Sequence, residues 1–121
     1  STTQSPRNQV RLYECLLTDY NIYLYSLENP MQQDTRLRCT RKLTSSLIAH
    51  TMKFLTNREA YGESGNYASD ILEKTYYNIR VSVWKKAEKK HLPLYFFSFG
   101  SYSRFLRIVK IYAGIKRLLK G

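Results

Sequence analysis

Val10, Tyr13, Leu17, Tyr20, Leu24 and Leu27 follow one another at alternating spacings of three and four. That rhythm draws one apolar stripe along a helix and does not fit the two-residue alternation of a strand. It predicts a first helix from about Asn8 to Leu27, stopped by Glu28-Asn29-Pro30. Asn29 is placed to cap a second helix whose first position is Pro30, where a missing N–H costs little. This second helix buries Leu37, Thr44, Leu47, Ile48, Thr51, Phe54 and Leu55 and runs to near Gly62, inside the turn signal Gly62-Glu63-Ser64-Gly65-Asn66. A third helix is expected from Tyr67 to Lys90, with Ile71, Leu72, Thr75, Tyr76, Ile79, Val83 and Ala87 on its apolar face. Val81-Ser82-Val83-Trp84 has strand-like composition, but the flanking periodicity outweighs it. Pro93 breaks the pattern, an aromatic segment spans Leu94 to Gly100, and a last helix is expected from Ser101 to Leu119.

With 121 residues, a second domain would leave each half too short for a useful core. The expectation is one all-α domain over 1–121, an up-and-down bundle of four to five amphipathic helices with residues 1–6 as a loose lead-in. The hydrophobic share of 43% is too high for a disordered basic tail. No run of apolar residues is long enough to span a bilayer.

Catalytic chemistry is thinly supplied. His50 and His91 have no His or Cys partner at helical spacing, so they read as surface or capping imidazoles rather than metal ligands. Cys15, His50 and Asp19 make a triad only on paper. Glu59 and Glu63 are four apart, which a solvated helix face explains as well as a paired-carboxylate site does. No phosphate-binding glycine loop and no Asn-x-Ser/Thr signal occur. The expectation is no enzyme, no metal and no cofactor. Cys15 and Cys39 allow one intrachain disulfide, with two free thiols as the equal alternative.

The charge is informative. The net charge is +11, and residues 89–121 hold eight Lys or Arg with no Asp or Glu. On a wheel of about 100° per residue, Phe105, Ile108, Tyr112, Ile115 and Leu119 share one arc of residues 101–120, with Ile111 and Leu118 beside it. Arg107, Lys110, Lys116, Arg117 and Lys120 take the remainder, Arg104 intrudes on the apolar arc, and Leu106 and Val109 stray from it. An amphipathic helix usually turns its apolar arc to a core. Two features favour an interfacial role instead. The basic face has no acid to balance it, and four aromatics in five residues (Tyr95, Phe96, Phe97 and Phe99) precede it in a domain with little core to absorb them. The expected contact surface comprises basic Lys89, Lys90, Arg104, Arg107, Lys110, Lys116, Arg117 and Lys120 with apolar Tyr95, Phe96, Phe97, Phe99, Leu106 and Val109. Ile108, Ile115 and Leu119 are expected in the core. The clusters Arg36, Arg38, Arg41, Lys42 and Lys85, Lys86, Lys89, Lys90 read as solvated faces, the second also suiting a helix C-terminus.

Gly65-Asn66-Tyr67, a basic helix of some two dozen residues, and then His91-Leu92-Pro93-Leu94-Tyr95 resemble the abalone sperm lysin family. The tyrosine content, basicity and all-helical pattern are similar too. The likeness covers residues 65–99, and only the turn positions Gly65, Tyr67, Pro93 and Tyr95 carry over, as structural residues. It implies a sperm acrosomal protein, secreted, with Ser1 close to a mature N-terminus and an egg membrane lipid or egg-surface glycoprotein as partner. The tail departs from lysin, whose C-terminus is not amphipathic. That favours the fusion-associated branch of the family, a fusagenic role in fertilization, over dissolution of the egg vitelline envelope. The rival from another class is nucleic-acid binding, which the charge suits but no groove-reading motif supports.

Overall fold

In the computed structural model, residues 6–29, 32–56, 65–79 and 81–120 are described. Helices α1 (Pro6–Glu28), α2 (Gln33–Thr56), α3 (Gly65–Asn78), α4 (Val81–Trp84), α5 (Leu92–Phe96) and α6 (Tyr102–Lys120) form, with no strand among the described residues. The chain is an all-α bundle. The carboxylate pair Glu59 and Glu63 lies outside the described residues.

α2 is the central element, against which α1, α3, α4 and α6 all pack. Its inner face is the expected one except at Leu37 and Leu55, which are only half-buried. Thr44, Leu47, Ile48, Thr51 and Phe54 are buried, joined by Thr40 and Leu43. Three threonines reach a core because each hydroxyl donates to a carbonyl one turn back. Thr40 bonds Arg36 O at 2.9 Å, Thr44 bonds Arg41 O at 2.8 Å, and Thr51 bonds Leu47 O at 2.6 Å. Each thus presents its methyl group to the core with its polar atom satisfied.

α1 and α2 run antiparallel. Lys42 Nζ lies 3.8 Å from Asp19, and Arg36 Nε donates to Ser26 O at 3.1 Å, so partners keep a nearly constant sum of residue numbers. That register explains the cysteines, both of which are free. Cys15 lies level with residues near 46, so Cys39 is about seven residues, roughly 10 Å, further along α2. A disulfide needs Cα atoms within about 7 Å. The helix α1 stripe is also rotated from expectation. Leu16 is buried and Leu17, Tyr20 and Tyr23 pack against the core, whereas Leu24 and Leu27 are exposed. Val10 and Tyr13 lie outside the described side chains. Asn29 does not cap α2. Its Nδ2 donates to Tyr25 O at 3.0 Å and its backbone N–H to the same oxygen at 3.1 Å, closing α1 instead.

The third helix does not continue to Lys90. It stops at Asn78, and one further turn, Val81–Trp84, leads into a tight turn. The face was nonetheless identified. Ile71, Leu72, Thr75, Tyr76, Ile79, Val83 and Ala87 are all buried. Packing of Trp84 is the physical reason for the break. Its ring centroid lies 5.6 Å from that of Tyr76. Eight residues of unbroken helix would separate the two by about 12 Å along the axis. Pro93 opens α5 at its first turn, where no N–H is needed, rather than only ending a helix.

The turn is tied to the bundle by an exposed hydrogen bond and α5 by buried ones. Arg41 Nε donates to Lys86 O at 3.2 Å, and Tyr95 Oη donates to Thr44 O at 2.6 Å. Ser98 Oγ donates to Tyr95 O at 2.6 Å. Its hydrogen is thereby used, so Tyr76 Oη donates to Ser98 Oγ. Around these bonds the rings of Tyr76, Trp84, Tyr95, Tyr102 and Phe105 pack at centroid distances of 4.6–6.3 Å.

Two outcomes test this arrangement. Tyr95→Phe removes the bond to the second lone pair of the Thr44 carbonyl and should cost about 0.5–1.5 kcal/mol in urea unfolding, whereas Trp84→Ala should cost about 3–5 kcal/mol. Thiol titration in denaturant should find two free thiols per chain with or without prior reduction, and a value of zero before reduction would contradict the α1–α2 register.

Candidate functional site

Two features meet on one side of the molecule, a strip of α6 and the shelf of aromatic residues that precedes it. α6 buries Tyr102, Phe105, Val109 and Ala113, spaced three or four apart. Leu106, Ile108 and Tyr112 flank that row, half-buried. Ile111, Ile115, Leu118 and Leu119 are turned to solvent at 62%, 52%, 82% and 84% exposure. The inward face is therefore rotated from the expected one. Val109, expected at the contact surface, is wholly buried, and Leu106 is half-buried. Ile115 and Leu119, expected in the core, are outside. The reason is the width of the apolar sector, about 240° of the wheel from Leu118 round to Leu106. Only part of a sector that wide can face a single bundle.

The aromatic shelf divides in the same way. Tyr95 is fully buried and is removed from the contact surface. Phe96, Phe97 and Phe99 are exposed at 39%, 62% and 73%. They line, with Val81, Trp84 and Gly100, an open apolar pocket of about 450 Å³. Phe99 has φ 51° and Gly100 φ 75°. The left-handed region is natural for glycine and costs a phenylalanine about 1–2 kcal/mol. The strained residue thus holds its ring out in water, with the Arg104 guanidinium 5.7 Å above the ring centre.

Arg104 and Arg107 border the strip on α6. Arg104, Arg107, Lys110, Lys116, Arg117, Lys89 and Lys90 are exposed, while the Lys120 side chain lies outside the described part. Lys90 approaches Glu88 at 3.5 Å, and α6 itself carries no acid. No helix of the described residues is long and apolar enough to cross a membrane.

Elsewhere, some residues read as solvated turn out to be structural. Arg36 and Arg41 donate to main-chain carbonyls, of Ser26 in the last turn of α1 and of Lys86 in the turn after α4. No periodicity argument marks such residues. A cation close behind a helix stop is the available signal. Nor is His91 a surface imidazole. It is 6% exposed, sits at the N-cap position of α5 and makes no side-chain cap bond. Burial first, and then the Lys90 and Lys116 charges, hold it below the ordinary imidazole range, with Glu88 opposing. His50 is lowered by burial and by Lys53, against Asp19. Among the described residues no three His, Cys, Asp or Glu converge as metal ligands.

The lowered imidazoles give a pH dependence with a defined sign. Both residues are neutral in the folded and unfolded chains above the ordinary value of 6.5. Below it the unfolded chain takes up protons first, so their contribution to stability is full above that pH and declines as pH falls toward the folded values. Melting midpoints should fall between pH 7 and pH 5, and a His50→Gln, His91→Gln variant should show a flatter profile over that window. No family model matches the chain, and no curated protein or solved structure matches it either.

Proposed function

We propose that the protein is a non-enzymatic, membrane-active protein of fertilization, secreted from a sperm acrosomal vesicle, that binds and perturbs the egg membrane. The single observation that carries this reading is the exposed strip Ile111, Ile115, Leu118 and Leu119 on a helix whose charged residues are all basic. The setting in fertilization rests on the lysin-like residues 65–99. An interfacial helix needs an apolar face for the acyl boundary and cations for the headgroups. Each Lys or Arg near an anionic leaflet contributes about 1 kcal/mol. In sea water the Debye length shrinks to roughly 3–5 Å, so charge acts only at contact and apolar insertion must supply the remainder. Four aliphatic side chains leaving water contribute on the order of 5 kcal/mol together. Phe97 and Phe99 extend that surface, and the neighbouring pocket has room for part of an acyl chain.

The strip also has the spacing of a coiled-coil seam, through Arg104, Ile108, Ile111, Ile115 and Leu118. A second copy fits it poorly. Arg104 would enter the seam, and Arg107 and Lys110 would meet cations with no carboxylate on the helix. An anionic surface has the complementary charge.

Leakage from vesicles of phosphatidylserine and phosphatidylcholine tests the proposal. Ile111→Asp with Leu118→Asp should change stability by no more than about 0.5 kcal/mol per site, because both residues are exposed, while leakage is lost. Arg107→Glu with Lys110→Glu should also lose leakage with an unchanged melting curve. Phe99→Asn should melt no lower than the parent, since it relieves the left-handed strain, yet leak vesicles less. Parent-level leakage from all three would sink the membrane reading and leave binding to an egg-surface glycoprotein in its place. A dimer in sedimentation that Ile111→Asp converts to monomer would assign the strip to self-association.

A further inference from the structure

A cavity of about 580 Å³ opens between the second half of α2, the turn before α5, and the far side of α6. Lys53 of α2, Lys90 of the turn, and Lys116 and Arg117 of α6 line it. Glu88 also lines it and approaches Lys90 at 3.5 Å. Lys53, Lys116 and Arg117 have no carboxylate partner among the described residues. Four cations against one acid leave the cavity a net charge of +3.

Cations near the ends of α2 and α6 suit the helix dipoles, and that alone would explain their presence. It does not explain two polar atoms in the same wall. Ser45 Oγ and His91 Nδ1 are buried with no hydrogen-bond partner. The His91 residue is only 6% exposed. Buried polar atoms are ordinarily satisfied, so an orphaned pair beside a cationic cavity points to an acceptor that enters from outside. The unpaired cations Lys53, Lys116 and Arg117 come from α2 and α6, and His91 comes from the turn between them, so donors approach from three elements. A tetrahedral ester with three terminal oxygens accepts from that many directions, whereas a planar carboxylate offers two oxygens. The volume is far larger than a bare oxyanion and falls in the range of small-ligand sites.

The cavity also faces away from the proposed membrane contact. Ala113 lies in its wall, and Ile111 and Ile115, each two residues away, are about 160° from it around the helix. A lipid whose headgroup filled the cavity could not lay its chains on the exposed strip.

We propose that this cavity binds a small organic molecule carrying a sulfate or phosphate monoester, for which sugar esters serve as probes, the ester held by Lys53, Lys116 and Arg117 and hydrogen-bonded by Ser45 and His91. Binding is coupled to protonation. Lys90 and Lys116 act on His91 as like charges and Glu88 as the opposing one, with Lys53 and Arg117 elsewhere in the cavity wall and the Tyr112 ring edge-on at 6.1 Å. A bound ester anion, singly charged as a sulfate and up to doubly charged as a phosphate, offsets part of the cationic surplus and so favours the imidazolium. The site is independent of the membrane reading, and its failure would leave the vesicle experiment untouched.

Nuclear magnetic resonance of the two imidazoles tests this directly. N-acetylglucosamine 6-sulfate and glucose 6-phosphate are added, with the unesterified sugars and sodium chloride as controls. At saturation the His91 titration should move up by about one pH unit, which is about tenfold tighter binding to the protonated form. His50, off the cavity and reached only through the charge of Lys53, should move less than His91. Lys116→Gln with Arg117→Gln should weaken binding of the esters by at least about tenfold, in line with lost charge-assisted bonds. Lys74→Gln on α3 removes a charge elsewhere and should leave binding unchanged. Equal His91 titration with esterified and plain sugars would overturn the proposal, as would a response to sodium chloride of the same size. Equal weakening by Lys74→Gln would overturn it too, by reducing the effect to net charge.

Discussion

The hydrogen bond from the Tyr95 hydroxyl to the Thr44 carbonyl governs where the second half of the chain can go. It joins residues 51 apart in sequence, is buried, and is 2.6 Å long. Burial, and to a lesser degree the neighbouring Tyr76, push the Tyr95 hydroxyl well above the ordinary phenol range, so it stays a neutral donor. A carbonyl inside α2 already accepts along the helix, and its second lone pair takes this bond. Once Tyr95 is fixed, a helical turn as short as Leu92–Phe96 must point its other side chains elsewhere. Leu94 shares the inward side, while Phe96 and Phe97 are turned out. Ser98 then links the Tyr95 carbonyl to Tyr76, which ties the segment to α3 as well.

That anchoring sets the start and heading of α6. Phe105 is stacked on Tyr95 at 5.4 Å and packs at a tilt against Tyr76 at 4.6 Å, which fixes the rotation of the helix about its own axis. With Phe105 inside, Val109 and Ala113 follow inward at four-residue steps, and Ile111, Ile115 and Leu118 must face out. The exposed strip is thus a consequence of aromatic packing at one end of the helix and not of weak packing along it. The core has no room for both faces, because the five rings beneath it already occupy that end of the bundle.

Several elements of this were legible in the residues and several were not. The buried faces of α2 and α3 follow from three-four spacing, since each is a single narrow row. Even the threonines belong to it, because a hydroxyl bonded one turn back presents only its methyl group. The break after Asn78 leaves that row intact and so leaves no mark on it. A periodicity argument therefore extends the helix too far. What could have signalled the break is the composition of Val81-Ser82-Val83-Trp84, where β-branched residues lower helix propensity beside a large ring in need of a partner. In α6 the difficulty is of another kind. An apolar sector of about 240° contains several admissible faces, and the one chosen depends on Tyr76 and Tyr95, which are remote in sequence. For the same reason Val109 and Tyr95 were indistinguishable from their exposed neighbours by composition. His91 and the cavity beside it were invisible too, because three elements far apart in the chain converge there.

α6 is long enough to serve two surfaces at once. Its 19 residues extend about 28 Å, and burial ceases at Ala113, so roughly 10 Å of helix runs on beyond the core. Such a stub would not form as a free peptide, since helices that short do not overcome the cost of nucleation. Here it propagates from a segment already held by Phe105 and Val109, and each further turn requires only elongation. Its residues are therefore released from packing constraints while their spacing stays fixed. Ile115, Leu118 and Leu119 can be apolar and outward, and Lys116 and Arg117 can face the cavity on the other side, because no core contact dictates either choice. An apolar interface would strengthen the stub further, as main-chain bonds gain when water is excluded. The same property that makes the strip costly in water makes it a rigid, pre-formed wedge at a lipid surface, where an already ordered helix loses less entropy on binding than a chain that must first fold.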